Sequence, residues 1–139
     1  MATLADLPRN EHFTGIRACA LARGGQYLIG ARTTGHWTID VAQPAPEQFE
    51  ATASRSAAGS GDAVAFIRLH AGEVHFAIRH LLWNSGTFRV TVLNQECSFS
   101  EVLVTAAGFF SGNAVRRIPA QGVYVLIVEA EGAWSVSVS

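Results

Sequence analysis

Three of the five histidines stand at equal steps of five, His70, His75 and His80, and evenly spaced imidazoles raise the question of a metal centre. Successive side chains of a strand point to opposite faces, so positions five apart face opposite ways. A regular strand therefore cannot bring His75 and His80 to one ion. His70 and His75 flank Gly72 and can approach each other across a turn, which leaves a two-histidine site open. No cysteine or carboxylate recurs at ligand spacing beside them. The histidines read as solvated or hydrogen-bonded groups, and no metal or other cofactor is expected.

Acid–base catalysis needs two titratable groups in one cleft. Asp6, Asp40, Asp62 and the eight glutamates fall mostly beside turns or at strand ends, where solvation is the simpler explanation. Glu129 and Glu131 share strand parity before Gly132, an arrangement expected of an exposed rim. No serine lies in a GxSxG elbow, and the glycine-rich Gly59–Asp62 run opens a strand instead of the helix that a phosphate loop uses. All ten basic residues are arginine, which removes lysine Schiff-base chemistry and the lysine of a phosphate loop. No catalytic residue is assigned, and the chain is read as a non-enzyme.

The tryptophans are the better candidates. Trp83 lies in the run Leu81-Leu82-Trp83-Asn84, an apolar cluster that enters the Ser85-Gly86 turn where polar residues are the rule. Exposed, this cluster is a sticky tip for a partner; folded back, it plugs one end of the molecule. With Asn84 and Arg79 beside it, Trp83 has the parts of a sugar platform, so a glycan is a possible ligand. Trp37 and Trp134 each stand two residues past a turn glycine, and this equivalence predicts that both pack a core.

The elements that must position these groups announce themselves by repetition. Residues 12–41 fall without a gap on residues 109–138, pairing Phe13 with Phe110, Gly15 with Gly112, Gly25 with Gly122, Tyr27 with Tyr124, Gly35 with Gly132 and Trp37 with Trp134. All six identities are glycines or aromatics, the types that fix turns and cores. A shorter echo, SGDAV at 60–64, matches SGNAV at 111–115. The pattern predicts a glycine-punctuated hairpin used three times.

Strand signals dominate. Residues 26–32, 36–41, 74–80, 86–93 and 123–129 alternate, or run β-branched and aromatic, between glycine turns about ten residues apart. In 73–80 the alternation puts Val74, Phe76 and Ile78 on one face and Glu73, His75 and Arg79 on the other. Phe88, Val90 and Val92 likewise share a face opposite Thr87, Arg89 and Thr91. The prolines at 44 and 46 mark 42–48 as a linker or a crossover between sheets, and 49–58 reads as an edge strand or a short helix, with the strand preferred.

Length and composition fit this picture. The 139 residues suit a single domain, residues 1–139, and 49% apolar against 15% charged content lies far from disorder. No apolar run reaches the roughly 18 residues of a spanning helix, so no membrane span is expected. A formal net charge of −1 and dispersed arginines argue against nucleic acid and favour association between chains. Cys19 and Cys97 read as buried thiols or one optional bridge. MATLADLPRNEHF lacks a basic segment followed by an apolar stretch, so no secretory signal is read there. The compartment stays open between the cytoplasm and export after loss of a leader.

Within residues 58–138, GSGDAVAFIRLHAGEVHFAI, FRVTVL and IPAQGVYVLIVEAEGAWSVSV follow one another. This succession resembles bacterial extracytoplasmic modules of the pre-peptidase C-terminal kind, jelly-roll domains appended to secreted enzymes and lipoproteins. The resemblance implies a β-sandwich that binds or packs and does not catalyse. The chain departs from that family in carrying an extra copy of the closing hairpin at its start.

These readings converge on an all-β fold: a two-sheet antiparallel β-sandwich, jelly-roll-like, of about ten strands. The expected role is that of a structural or interaction module that forms homo-oligomers or docks to a protein partner. Its N-terminal hairpin, with Phe13, Tyr27 and Trp37, would pair at a β-edge or by strand exchange, since a copy of the closing hairpin can pair where the original pairs. The alternative is a carbohydrate-binding module built on Leu81, Leu82, Trp83, Asn84 and Arg79.

Overall fold

A computed structural model describes residues 24–43, 47–48, 53–83, 86–96 and 98–139. Its strands are β1 (Ser56–Ser60), β2 (Ala63–Leu69), β3 (Gly72–His80), β4 (Thr87–Asn94), β5 (Ser100–Ala107), β6 (Phe110–Ile118), β7 (Gly122–Ala130) and β8 (Ala133–Val138). They form two four-stranded sheets, β1-β8-β3-β6 and β2-β7-β4-β5, with every neighbouring pair antiparallel. The fold is all-β, a two-sheet sandwich.

Period-two patterning decides which side chains meet between the sheets. On β3, Val74, Phe76, Ile78 and His80 are buried while Glu73, His75, Ala77 and Arg79 are exposed. From the facing sheet, Phe88, Val90 and Val92 of β4 and Tyr124, Leu126 and Val128 of β7 close the same core. A bulge between Val90 and Thr91 leaves Leu103 of β5 as the extra residue, and Leu103 is buried with the core.

β7 departs from strict alternation. Its run Val123–Val128 is apolar on both faces, as expected of a central strand. Register places Val125 beside Phe66 and Leu93, and Ile127 beside Val64 and Thr91, on the side away from the core. Val102 joins this stripe opposite Thr91. The outer face of the β2-β7-β4-β5 sheet therefore carries an apolar stripe, with Arg68 at one end and the Arg89–Glu129 register pair at the other. The outer face of the other sheet carries His75, Ala77 and Arg79 beside Ser111, Asn113, Ser135 and Ser137.

Several expectations need correction. The described residues hold eight strands, not about ten, because 26–32 and 36–41 form none: residues 24–43 carry no strand and all are exposed. A strand needs neighbours for its backbone groups, and the positions that the repeat assigns to these segments are already filled by β7 and β8. Trp37 accordingly lies 54% exposed and packs no core, whereas its counterpart Trp134 is 3% exposed.

The repeated unit is also no hairpin. β7 and β8 belong to different sheets, and of the seven strand-to-strand connections only β4–β5 joins neighbours within one sheet. A glycine turn with alternation on either side is equally compatible with a chain that folds back and one that arches across the core. Phe13, Cys19, Asn84 and Cys97 lie outside the described residues, as does most of the 44–52 stretch. The strand expected towards residue 58 is present as β1.

Candidate interaction site

One end of the sandwich gathers the β1–β2, β3–β4, β5–β6 and β7–β8 connections, and a buried histidine ties them together. His80, at the end of β3, is fully buried and stacks on Phe88 with ring centroids 4.4 Å apart. Its Nδ1 donates to the Gly108 carbonyl at 2.7 Å, and its Nε2 accepts the Gly132 amide at 3.2 Å. The Gly132 carbonyl accepts from the Gly61 amide at 3.1 Å, and the Gly61 carbonyl accepts from the indole N–H of Trp134 at 2.9 Å. The Asp62 carboxylate adds a bond from the Ala130 amide at 3.0 Å. Gly108 sits at φ 73°, a left-handed conformation that glycine adopts without strain. His80 thus acts inside the fold, and its parity with Val74, Phe76 and Ile78 is the sequence signal that sets it apart from the exposed His75.

The apolar cluster after His80 splits into an inward and an outward part. Leu82 packs over Gly132, where an added Cβ would lie 3.0 Å from Leu82 Cβ, and over Gly86, where Glu131 also leaves no room for one. Leu81 is anchored by its amide to the Ala133 carbonyl, yet its side chain is exposed. Trp83 is 84% exposed and stacks on Phe109 with centroids 4.6 Å apart and planes 7° from parallel. Leu82 is the plug, and Trp83 with Phe109 is an aromatic shelf. Phe109 was missed in the sequence; its signal was the Phe109-Phe110 pair directly after Gly108. Arg79 lies on the outer sheet face between Ser111 and Ser135.

The second exposed apolar group is the segment 24–43. Tyr27, Leu28, Ile29, Trp37, Ile39 and Val41 all stand among the exposed large side chains. Their repeat counterparts Tyr124, Val125, Leu126, Trp134 and Val136 are buried, and Val138 packs against the core. One pattern of side chains is therefore present twice, once in a core and once in solvent.

The remaining polar groups are local. His70 donates to the Glu73 carbonyl and His75 contacts the Glu73 carboxylate, both at 3.1 Å, so the two histidines turn to one glutamate on the surface. Among the described residues, no group of three or more histidine, cysteine or acidic side chains comes together to hold a metal ion. Glu129 pairs across the strands with Arg89 on an outer face, while Glu131 packs at the turn. At the opposite end of the sandwich, Ala71, Phe99, Ile118 and Pro119 line an open, mainly apolar hollow, with Arg117 at its edge. No helix among the described residues is long and apolar enough to cross a membrane.

No family model matches this chain, and no curated protein matches it.

Proposed function

We propose that this protein is a non-enzymatic interaction module that associates through its N-terminal segment, with Tyr27, Trp37 and Ile39 as the contact side chains and another chain's β-structure as the acceptor. One observation carries this reading. The apolar pattern that β7 and β8 bury in the core is repeated in 24–41 and left exposed, with Ile39 45% exposed against 0% for Val136. Burying such a set favours association by about 25 cal/mol per Å² of apolar surface, and a segment that belongs to neither sheet can offer backbone groups to a partner strand.

The strand order supports a finer reading of the fold as a jelly roll, since eight strands in two interlocked four-stranded sheets are its arrangement. That order is also what keeps the resemblance to pre-peptidase C-terminal modules in play, and with it a binding role.

Light scattering over a concentration range tests the association on the full chain and on Trp37→Ala/Ile39→Asp, whose changes fall on exposed positions. The expected result is a mass that rises with concentration for the full chain and stays at one chain for the variant. A full chain that remains monomeric at all concentrations overturns the self-association reading.

A second reading rests on a different observation, the exposed Trp83–Phe109 shelf. Stacked flat aromatics suit the face of a sugar ring. Glycan binding that is lost in Trp83→Ala, in a protein that stays monomeric, would move the function to that shelf.

A further inference from the structure

β6, β7 and β8 play a special part in this topology. β7 lies between β2 and β4, β8 lies between β1 and β3, and β6 borders β3. Taken together they are a closer: remove them and β1–β5 remain as a frame with an empty slot in the middle of each sheet. Residues 12–41 match this closer and nothing else in the chain over such a length.

Two of the residues kept identical, Gly132 and Trp134, are ones on which the frame makes demands. Gly132 gives its amide to His80 and lies under Leu82, and Gly35 repeats it. Trp134 lies flat on Gly59 and donates to the Gly61 carbonyl, and Trp37 repeats it. The inward positions Leu126, Val136 and Val138 are matched by Ile29, Ile39 and Val41. A segment selected only to be apolar would have no reason to keep these particular contacts.

Resting on the association read above, we infer that residues 24–41 are the closing strands of a second sandwich and dock into the β7 and β8 slots of a frame of the β1–β5 kind. Addition to an outer edge would leave Trp37 without its glycine and carbonyl. The partner is defined by chemistry: five strands with a Gly-x-Gly-Asp turn after the first and an inward histidine ending the third, and with no closer of its own in place. Each copy of this chain brings one frame, residues 56–107, and two closers, so exchange among intact copies always leaves closers over. An unfilled frame is what the surplus closer fits.

This chain can supply such a frame for the test. Val136 is fully buried on β8, so Val136→Asp puts a charge in the core and disables the C-terminal closer. The slots are then open to residues 24–41 from a neighbour or from the same chain. The intramolecular route is short, because the end of β8 lies against the start of β1, with Ser56 paired to Ser137 and the Val138 amide bonded to the Arg55 carbonyl. Residues 42–55 easily span that gap.

Three full-length variants are compared by cooperative unfolding and by hydrogen exchange. Ile39→Asp should unfold as cooperatively as the unaltered chain while losing its association. Val136→Asp should still unfold cooperatively and should gain protection at 24–41. Val136→Asp/Ile39→Asp should lose cooperative unfolding, and the unaltered chain added to it should form a one-to-one complex. If the double variant is no worse than Val136→Asp, whether both are folded or both unfolded, and no complex forms, the inference is overturned. The outcome is separable from that of the association reading. A monomeric unaltered chain whose Val136→Asp form is rescued through Ile39 removes self-association and keeps the closer. An unaltered chain that associates through Trp37 and Ile39 without any rescue keeps association and removes the closer.

Discussion

Gly132 donates its amide hydrogen to Nε2 of His80, and the same imidazole donates from Nδ1 to the Gly108 carbonyl. With one nitrogen accepting and the other donating, the ring is held as the neutral Nδ1-protonated tautomer. This pair joins the β3, β5–β6 and β7–β8 ends through one buried side chain. His80→Ala strands a buried carbonyl and a part-buried amide and removes the stack on Phe88. A loss of about 2–4 kcal/mol is expected in urea unfolding, against less than about 0.5 kcal/mol for the exposed His75→Ala.

Gly59 offers the flat surface on which the Trp134 indole lies, and a Cβ there would sit 2.9 Å from Cζ2. The contact is with a rigid ring held by its bond to Gly61, so neither side can yield cheaply. Gly59→Val should cost about 1–3 kcal/mol, read as a lower urea midpoint at unchanged m-value. Gly122, with open space where a methyl group would stand, should tolerate alanine in the same assay.

The two equivalent tryptophans should part company. Trp134→Ala empties a core position and leaves the Gly61 carbonyl without its indole donor, so about 3–5 kcal/mol should be lost. Trp37→Ala should leave the unfolding of the sandwich unchanged while abolishing the concentration-dependent mass. Equal destabilisation by both changes would place residues 24–41 in the folded core.

Trp83→Ala should leave stability within about 0.5 kcal/mol, because the side chain is exposed and its neighbour Leu82 does the plugging. Its effect should appear only in binding to an aromatic or glycan probe. Leu82→Ala should do the reverse, lowering stability by about 2 kcal/mol or more with the shelf still present.

Much of the sandwich was legible because burial is written in period two. The faces of 73–80 and 86–93 came out as read, since one face of each strand meets the core and the other meets water. The connections were not legible: a turn at Gly132 looks the same whether the next strand pairs with the last or crosses to the other sheet. Phe109 and the outward stripe of Val125 and Ile127 were missed because short apolar runs carry no period. Trp37 shows the limit most sharply. Its sequence context equals that of Trp134, and what differs is whether a frame is present to receive it.

The central claim is that residues 24–41 are a spare set of closing strands, idle in the single chain and engaged on association. Hydrogen exchange on the full chain, followed peptide by peptide across the concentration at which its mass rises, tests this directly. The account predicts that 24–41 exchanges freely in the dilute protein and becomes protected in the assembly, while 110–138 remains protected or exchanges places with it. Assembly in which 24–41 stays as unprotected as in the dilute chain would contradict it.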